Sequence, residues 1–256
     1  CSPSRVGLST GQYPQRWRIT SFLNNRAENS ARGMDQWLDP KAPTLARTLK
    51  DVGYATGHFG KWHLGGPDGA SPTQQGFSVY RDAMESRKAS DRTALTASTD
   101  PKTMYTTNRD VTTWASERKD TPWFAAVMYQ GIHTPLEART ATLERLQKTG
   151  LTGQKFIYAA CLADFDDAIG SLIKQIRALP QGRETVVIFT SDNGATQQSS
   201  QEPLRGNKGA YYEGGIRVPL IIDWPGRTKA NATCYSPVSL VDLFPTLCDI
   251  AGGKVD

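Results

Sequence analysis

The apolar positions of this chain follow two rhythms. In residues 43–52 (PTLARTLKDV), Leu45, Leu49 and Val52 share one helical face, with Pro43 near the start and Gly53 as a stop. Helical spacing returns in residues 154–178 through Ile157, Cys161, Phe165, Ile169, Leu172 and Ile176, and in residues 239–251 through Leu240, Leu243, Leu247 and Ile250. Other stretches run apolar almost without interruption, as strands covered on both faces do: residues 122–130 (PWFAAVMYQ), 185–191 (TVVIFTS) and 218–224 (VPLIIDW). Residues 54–63 (YATGHFGKWH) read as a strand running into a loop. Buried strands separated by long helices predict an α/β layered domain with a largely parallel sheet. Between Gly65 and Pro101 the chain is polar, rich in Gly, Pro, Ser and Thr, and weakly periodic. That predicts a long surface excursion of the kind that shapes substrate pockets. No repeat or linker divides the chain, so one domain is expected over its 256 residues.

Composition narrows the class. The formal net charge is +5, spread along the chain without a dense basic block, which argues against a nucleic-acid tail. No apolar run reaches the length of a membrane span. The four cysteines, Cys1, Cys161, Cys234 and Cys248, fit neither a zinc motif nor a dense disulfide framework. Cys161 lies in the long helical stretch and reads as a buried small hydrophobe, whereas Cys234 and Cys248 are open to pairing in an oxidising compartment. Asn231-Ala232-Thr233 is a glycosylation sequon, meaningful only on a eukaryotic secretory route. The chain starts at Cys1, so any targeting segment is expected upstream of it.

Five short segments offer chemistry, and each has a plainer structural reading beside it. Cys1-Ser2-Pro3-Ser4-Arg5 suits a helix start, which would set Cys1 and Arg5 one turn apart at an end that favours an oxyanion. A cysteine phosphatase loop fits poorly, because Arg5 comes too early and Gly7 stands six positions after Cys1. In Gly60-Lys61-Trp62-His63, an extended backbone would turn Lys61 and His63 to one face, a cation beside a titratable imidazole. His58 would face the other way, in a structural role. His133 follows the strand that ends near Gln130, where ligands gather in open α/β sheets; a capping loop histidine is the alternative. Asp192 and Asn193 follow the strongest strand and offer two oxygens to a hard cation, or an ordinary turn. Lys208, flanked by glycine, is a candidate anion contact or part of a flexible basic loop.

The order of these pieces is more specific than any one of them. Cys-x-Pro-Ser-Arg, then Gly-Tyr-x-Thr-x-x-x-Gly-Lys-Trp-His-Leu-Gly, His-x-Pro, Ser-Asp-Asn-Gly and Lys-Gly-x-x-x-Glu-Gly-Gly-Ile-Arg-Val-Pro resembles the type I sulfatase family across nearly the whole chain, including the closing Val241-Asp242-Leu243-Phe244-Pro245-Thr246-Leu247. The resemblance implies an alkaline phosphatase-like fold with a mixed, largely parallel sheet between helix layers. It implies oxidation of Cys1 to formylglycine by a formylglycine-generating enzyme that reads the residues around it, and hydration of the aldehyde to a geminal diol. One hydroxyl would attack sulfur; Arg5, Lys61 and Lys208, with a metal, would hold the sulfate. His133 would protonate the leaving oxygen, and His63 would take a proton from the second hydroxyl to expel sulfate. Asp192 and Asn193 would ligate calcium, with magnesium the lesser candidate. A sulfated carbohydrate or aryl sulfate is the implied substrate, and a periplasmic, lysosomal or secreted location is implied by analogy.

The family places two further metal-binding aspartates on a strand upstream of the cysteine and a smaller subdomain after the last helix, and neither is expected within residues 1–256. On that reading the 256-residue chain alone should bind calcium weakly and turn over little substrate. Two other readings are weighed. One is a phosphonate or phosphodiester hydrolase of the same superfamily. The other is an inert sulfatase fragment that only binds sulfated glycans. Arg81, Arg87, Lys88 and Arg92 in the polar excursion are candidates to contact such a glycan, or ordinary solvated charges.

Overall fold

The structure is a computed structural model that describes residues 1–66, 68–85, 87 and 97–253. In chain order its elements are α1 (Ser2–Thr10), α2 (Arg26–Ala31), α3 (Leu45–Asp51), β1 (Ala55–Gly60), β2 (Val79–Arg81), α4 (Met104–Ser116), β3 (Trp123–Met128), α5 (Thr140–Leu146), α6 (Gly153–Arg177), β4 (Val187–Thr190), α7 (Glu213–Ile216), β5 (Leu220–Asp223) and α8 (Leu243–Ile250). All seven periodic stretches of the sequence appear with the expected type.

β1 is the centre of a parallel sheet of order β2-β1-β3. The side chains of β3 alternate between two helix layers, as the strand's period of two requires. Phe124, Ala126 and Met128 pack with residues around α1 and α3, while Trp123, Ala125 and Val127 pack with Val111 and Trp114 of α4 and Ile176 of α6. A third cluster joins Leu45 and Leu49 of α3 to Phe244 and Cys248 of α8. The parallel sheet thus sits between helix layers, as expected.

β4 and β5 form a separate antiparallel pair. A cleft of about 950 Å³ runs between β3 and β4, lined by both strands, the inner side of α6 and Leu243 and Leu247 of α8.

One expectation changes, and one helix was not foreseen. The segment from Gly65 to Pro101 is not only a surface excursion: β2 pairs in parallel with β1, Phe77 and Gln75 are buried, and Gln75 Nε2 donates to the carbonyls of Leu38 and Asp39. A three-residue strand is too short to carry a periodic signal; sheet pairing creates it. The helix α4 was not legible because Thr107 and Asn108 occupy its buried face, and Asn108 Nδ2 donates to Ala168 O at 2.7 Å. A buried amide satisfied from a neighbouring helix looks like a surface residue in the sequence.

Two of the excursion's four candidate charges are also placed. Arg87 grips the buried Glu137 carboxylate through both oxygens at 3.1 Å, and Arg81 lies 3.9 Å from Asp110. Lys88 and Arg92 lie outside the described residues. Cys161 is buried as expected, and Cys234, exposed, and buried Cys248 are both free rather than paired.

Candidate active site

The candidate residues meet at the carboxyl ends of β1, β3 and β4, around the N-terminus of α1. Helix α1 starts at Ser2 with Pro3 in its first turn and Cys1 as the capping residue, as the sequence predicts. Its open end favours negative charge beside Cys1.

Arg5 is the hub. It is 8 % exposed, and its guanidinium donates through Nε (3.1 Å) and Nη2 (2.9 Å) to Asp192 Oδ2 and through Nη1 (2.7 Å) to the carbonyl of Lys61. One side chain thus joins the start of α1 to the ends of β1 and β4. Burial opposes ionisation of Asp192, but the cations around it together, Arg5 foremost and Lys61 among them, hold the carboxyl below its usual range.

Lys61 follows Gly60, whose φ of 94° and close approach to the Met128 carbonyl leave no room for a side chain. The Lys61 amide continues the ladder to Met128 O at 2.9 Å, and its Nζ lies 3.9 Å from the Cys1 thiol. Burial, then Arg5, pushes Lys61 down to about 8, with Lys208 adding to the depression and Asp192 opposing it.

His63 reaches the site by a different route from the one expected. The strand ends at Gly60, and His63 sits in the left-handed region at φ 61°, so alternation along an extended strand does not bring it beside Lys61. Its Nε2 donates to the Leu23 carbonyl at 2.9 Å. Nδ1 is buried without a partner. Burial, then the charge of Lys61, lowers the imidazole to about 4. His58, on the opposite side, is fully buried among Trp62, Phe77 and Tyr80 at 5.1, 5.1 and 5.7 Å, and burial pushes it down to about 3.

His133 sits on the loop after β3. That loop is pinned from α6: Cys161 Sγ donates to Gly131 O at 3.0 Å, and Phe165 fills the space a Gly131 side chain would need. His133 Nδ1 donates to Thr134 O at 2.7 Å, which leaves Nε2 as the second ring nitrogen. Burial lowers its pKa; the Thr134 bond opposes this, and Lys208 and Lys61 add to it.

Asp192 and Asn193 close the site from β4. Asn193 Oδ1 lies 3.6 Å from Cys1 Sγ. Gly194, whose Cβ would strike the Gly214 carbonyl, lets this loop dock on α7, and the Lys208 amide donates to Ala195 O at 2.9 Å. That bond ties the Lys208 loop to the loop after β4. Cys1, Arg5, Lys61, His133, Asp192, Asn193 and Lys208 all line the cleft between β3 and β4.

Asp192 and Asn193 have the donor chemistry of a hard-cation site, but two oxygens do not complete a calcium shell of six to eight. Among the described residues no three His, Cys, Asp or Glu side chains gather to hold a metal ion. The pair therefore fits part of such a site.

Sequence reasoning did not find Ser2 and Leu23 as neighbours of His63. Ser2 Oγ donates to His63 O at 2.9 Å, across a separation in sequence that no local spacing encodes.

The family profile described as Sulfatase matches residues 1–253. The chain is 29 % identical over 283 residues to Arylsulfatase J of Mus musculus, covering 100 % of this chain and 46 % of that protein. It is 31 % identical over 294 residues to Arylsulfatase A of Homo sapiens, covering 100 % of this chain and 55 % of that protein. The chain thus spans about half the length of these curated relatives. Among solved structures, Ps i-CgsB in complex with k-i-k-neocarrahexaose superposes with a TM-score of 0.82 at 24 % identity, over 100 % of this chain and 62 % of that one, which shows a shared fold. With a match over almost its whole length and an α/β architecture of the alkaline phosphatase-like kind, this chain belongs to the sulfatase family.

Proposed function

We propose that the protein containing this chain hydrolyses sulfate esters, of a sulfated carbohydrate or an aryl alcohol, at a nucleophile derived from Cys1. The observation that carries the reading is the convergence on the Cys1 side chain: Lys61 Nζ at 3.9 Å, Asn193 at 3.6 Å, and Arg5 one helical turn away with its guanidinium fixed by two partners. A sulfuryl group seated at the start of α1 meets preorganised cations and the open amides of a helix end, the arrangement that stabilises charge developing in a transition state.

In this reading a formylglycine-generating enzyme converts Cys1 to an aldehyde, whose hydrate supplies one hydroxyl to take the sulfuryl group and a second to drive its release. Arg5, Lys61 and Lys208 orient the sulfate oxygens. His133 holds its Nε2 toward the leaving alcohol, since Nδ1 is committed to Thr134 O. His63, neutral above about pH 4, takes the proton that accompanies sulfate release. Asp192 and Asn193 would hold calcium, or less readily magnesium, with oxygens from outside the described residues. The bound cation would neutralise sulfate charge. A periplasmic, lysosomal or extracellular location belongs to the same proposal; among the described residues no helix is long and apolar enough to cross a membrane.

The test uses a polypeptide that includes this chain, produced together with a formylglycine-generating enzyme. Sulfate release is followed from an aryl sulfate and a sulfated oligosaccharide, beside an aryl phosphodiester. Release of sulfate that disappears in Cys1→Ala supports the proposal. Preferential turnover of the diester favours a phosphodiester or phosphonate hydrolase. Binding of the oligosaccharide without turnover, in a protein whose Cys1 carries the aldehyde by mass spectrometry, favours an inert glycan binder.

A further inference from the structure

Ser2 is fully buried, and its hydroxyl belongs to a closed ring of three hydrogen bonds around His63. Ser2 Oγ donates to His63 O at 2.9 Å and accepts from the Leu23 amide at 3.0 Å. The Leu23 carbonyl in turn accepts from His63 Nε2 at 2.9 Å. A carbonyl oxygen only accepts, so Nε2 carries the ring proton and Nδ1 keeps its lone pair. Nδ1 has no partner and is buried, so nothing in the fold competes for that lone pair.

The ring also answers a backbone need. His63 occupies the left-handed region at φ 61°, which a side-chain-bearing residue holds only when its surroundings fix it. Ser2 holds the His63 carbonyl, and the same oxygen holds the Leu23 peptide that reads the imidazole. Both ends of the histidine are therefore set by one hydroxyl. A hydrogen bond from one ring nitrogen that fixes the tautomer of a working imidazole is a general device.

We propose that Ser2 is a positioning residue: its hydroxyl clamps the His63 backbone and the Leu23 peptide together, and so fixes Nδ1 as the nitrogen left free to take a proton. This rests on the reading of His63 as the base, but its structural half stands apart from catalysis. Removal of the hydroxyl leaves the His63 carbonyl and the Leu23 amide short of a buried partner. Threonine keeps the oxygen and should keep the ring.

The experiment is nitrogen-15 NMR of the imidazoles. The chain has only three histidines, and His63→Gln assigns the signal of interest. The expected wild-type His63 is the tautomer protonated at Nε2 with an unprotonated Nδ1. Ser2→Thr should preserve it, and Ser2→Ala should show a mixture of tautomers. A wild-type proton on Nδ1 overturns the proposal, as does a folded Ser2→Ala chain with an unchanged His63 spectrum. Should Ser2→Ala fail to fold, Ser2→Cys, with a poorer acceptor of similar size, is read by the same criterion.

In the polypeptide that turns over sulfate esters, activity is normalised to the aldehyde content of Cys1, because Ser2 neighbours the modified residue. There kcat should fall about ten- to a hundredfold in Ser2→Ala with KM little changed, and recover in Ser2→Thr. A tautomer that responds to Ser2 in a protein without sulfatase activity would sink the functional reading and leave the clamp standing. Full activity with an unchanged tautomer in Ser2→Ala would sink the clamp alone.

Discussion

β1 and β4 both end at the candidate active site, yet they live in different surroundings. β1 is flanked on both edges by parallel partners, and five of its six residues are buried. β4, the clearest strand in the sequence, has β5 on one edge, faces the cleft on the other, and has no fully buried residue; three of the four residues of β5 are exposed. Apolar character states what a strand can bury, while its neighbours determine what it does bury. The difference also divides the site. Arg5, Lys61 and His63 rest on the well-packed half, and Asp192, Asn193 and Lys208 on the sparsely packed half, with the Arg5–Asp192 pair as the join.

The largest test of this contrast is a pair of truncations. Phe59→Ala in β1 removes a ring that is 0 % exposed and packed 5.5 Å from Trp114, and should cost about 3–5 kcal/mol in denaturant unfolding. Phe189→Ala in β4, half-buried and 6.4 Å from Phe165, should cost roughly half as much or less. Equal losses would break the comparison.

Next comes the join. Asp192→Ala strips the carboxylate from Arg5, whose side chain is 9 % exposed, and roughly 2–3 kcal/mol of stability should go with it. The Asp192 pKa is depressed by Arg5, so the pair stabilises the fold above the ordinary carboxylate range and loses that contribution as pH falls. An acid-unfolding profile of Asp192→Asn should lack this component. A profile identical to wild type would mean that the two halves are not coupled through this pair.

Lys61 sharpens the picture on the other side of neutrality. With its pKa lowered to about 8 from 10.5, the unfolded chain binds more protons between those values, so Lys61 makes stability rise with pH in that window. Anion binding should move the opposite way. Sulfate protection against thermal unfolding should weaken as pH passes about 8, and Lys61→Arg should extend it upward. Protection independent of pH in the wild type would count against a sulfate contact.

The smallest expected effect is at β5. Ile221→Thr alters a side chain that is 59 % exposed and should shift stability by no more than about 0.5 kcal/mol. A loss several times larger would show that β5 is covered in solution.

Much of the site was legible in advance because its residues lie in short local motifs. Cys1 and Arg5 are one helical turn apart, and Asp192 and Asn193 adjoin at the end of a recognisable strand. Their convergence at strand ends was readable from the α/β pattern. The posture of His63 was not: strand alternation implied an extended residue, whereas the structure has a left-handed one held by Leu23 and Ser2 from distant parts of the chain. Likewise, α4 hides its inward face behind Thr107 and Asn108, and β2 exists because β1 offers it a ladder.

The types of those elements whose apolar residues are regularly spaced, and the candidate residues for an oxyanion or a cation, could be read from the chain, because both follow from local spacing and side-chain chemistry. Which strands share a sheet, how deeply each is buried, and which nitrogen of His63 is free emerge once the chain is folded. Those outcomes depend on pairings between residues far apart in the chain, where a hydrogen bond or a covered face is a property of two segments and is written in neither.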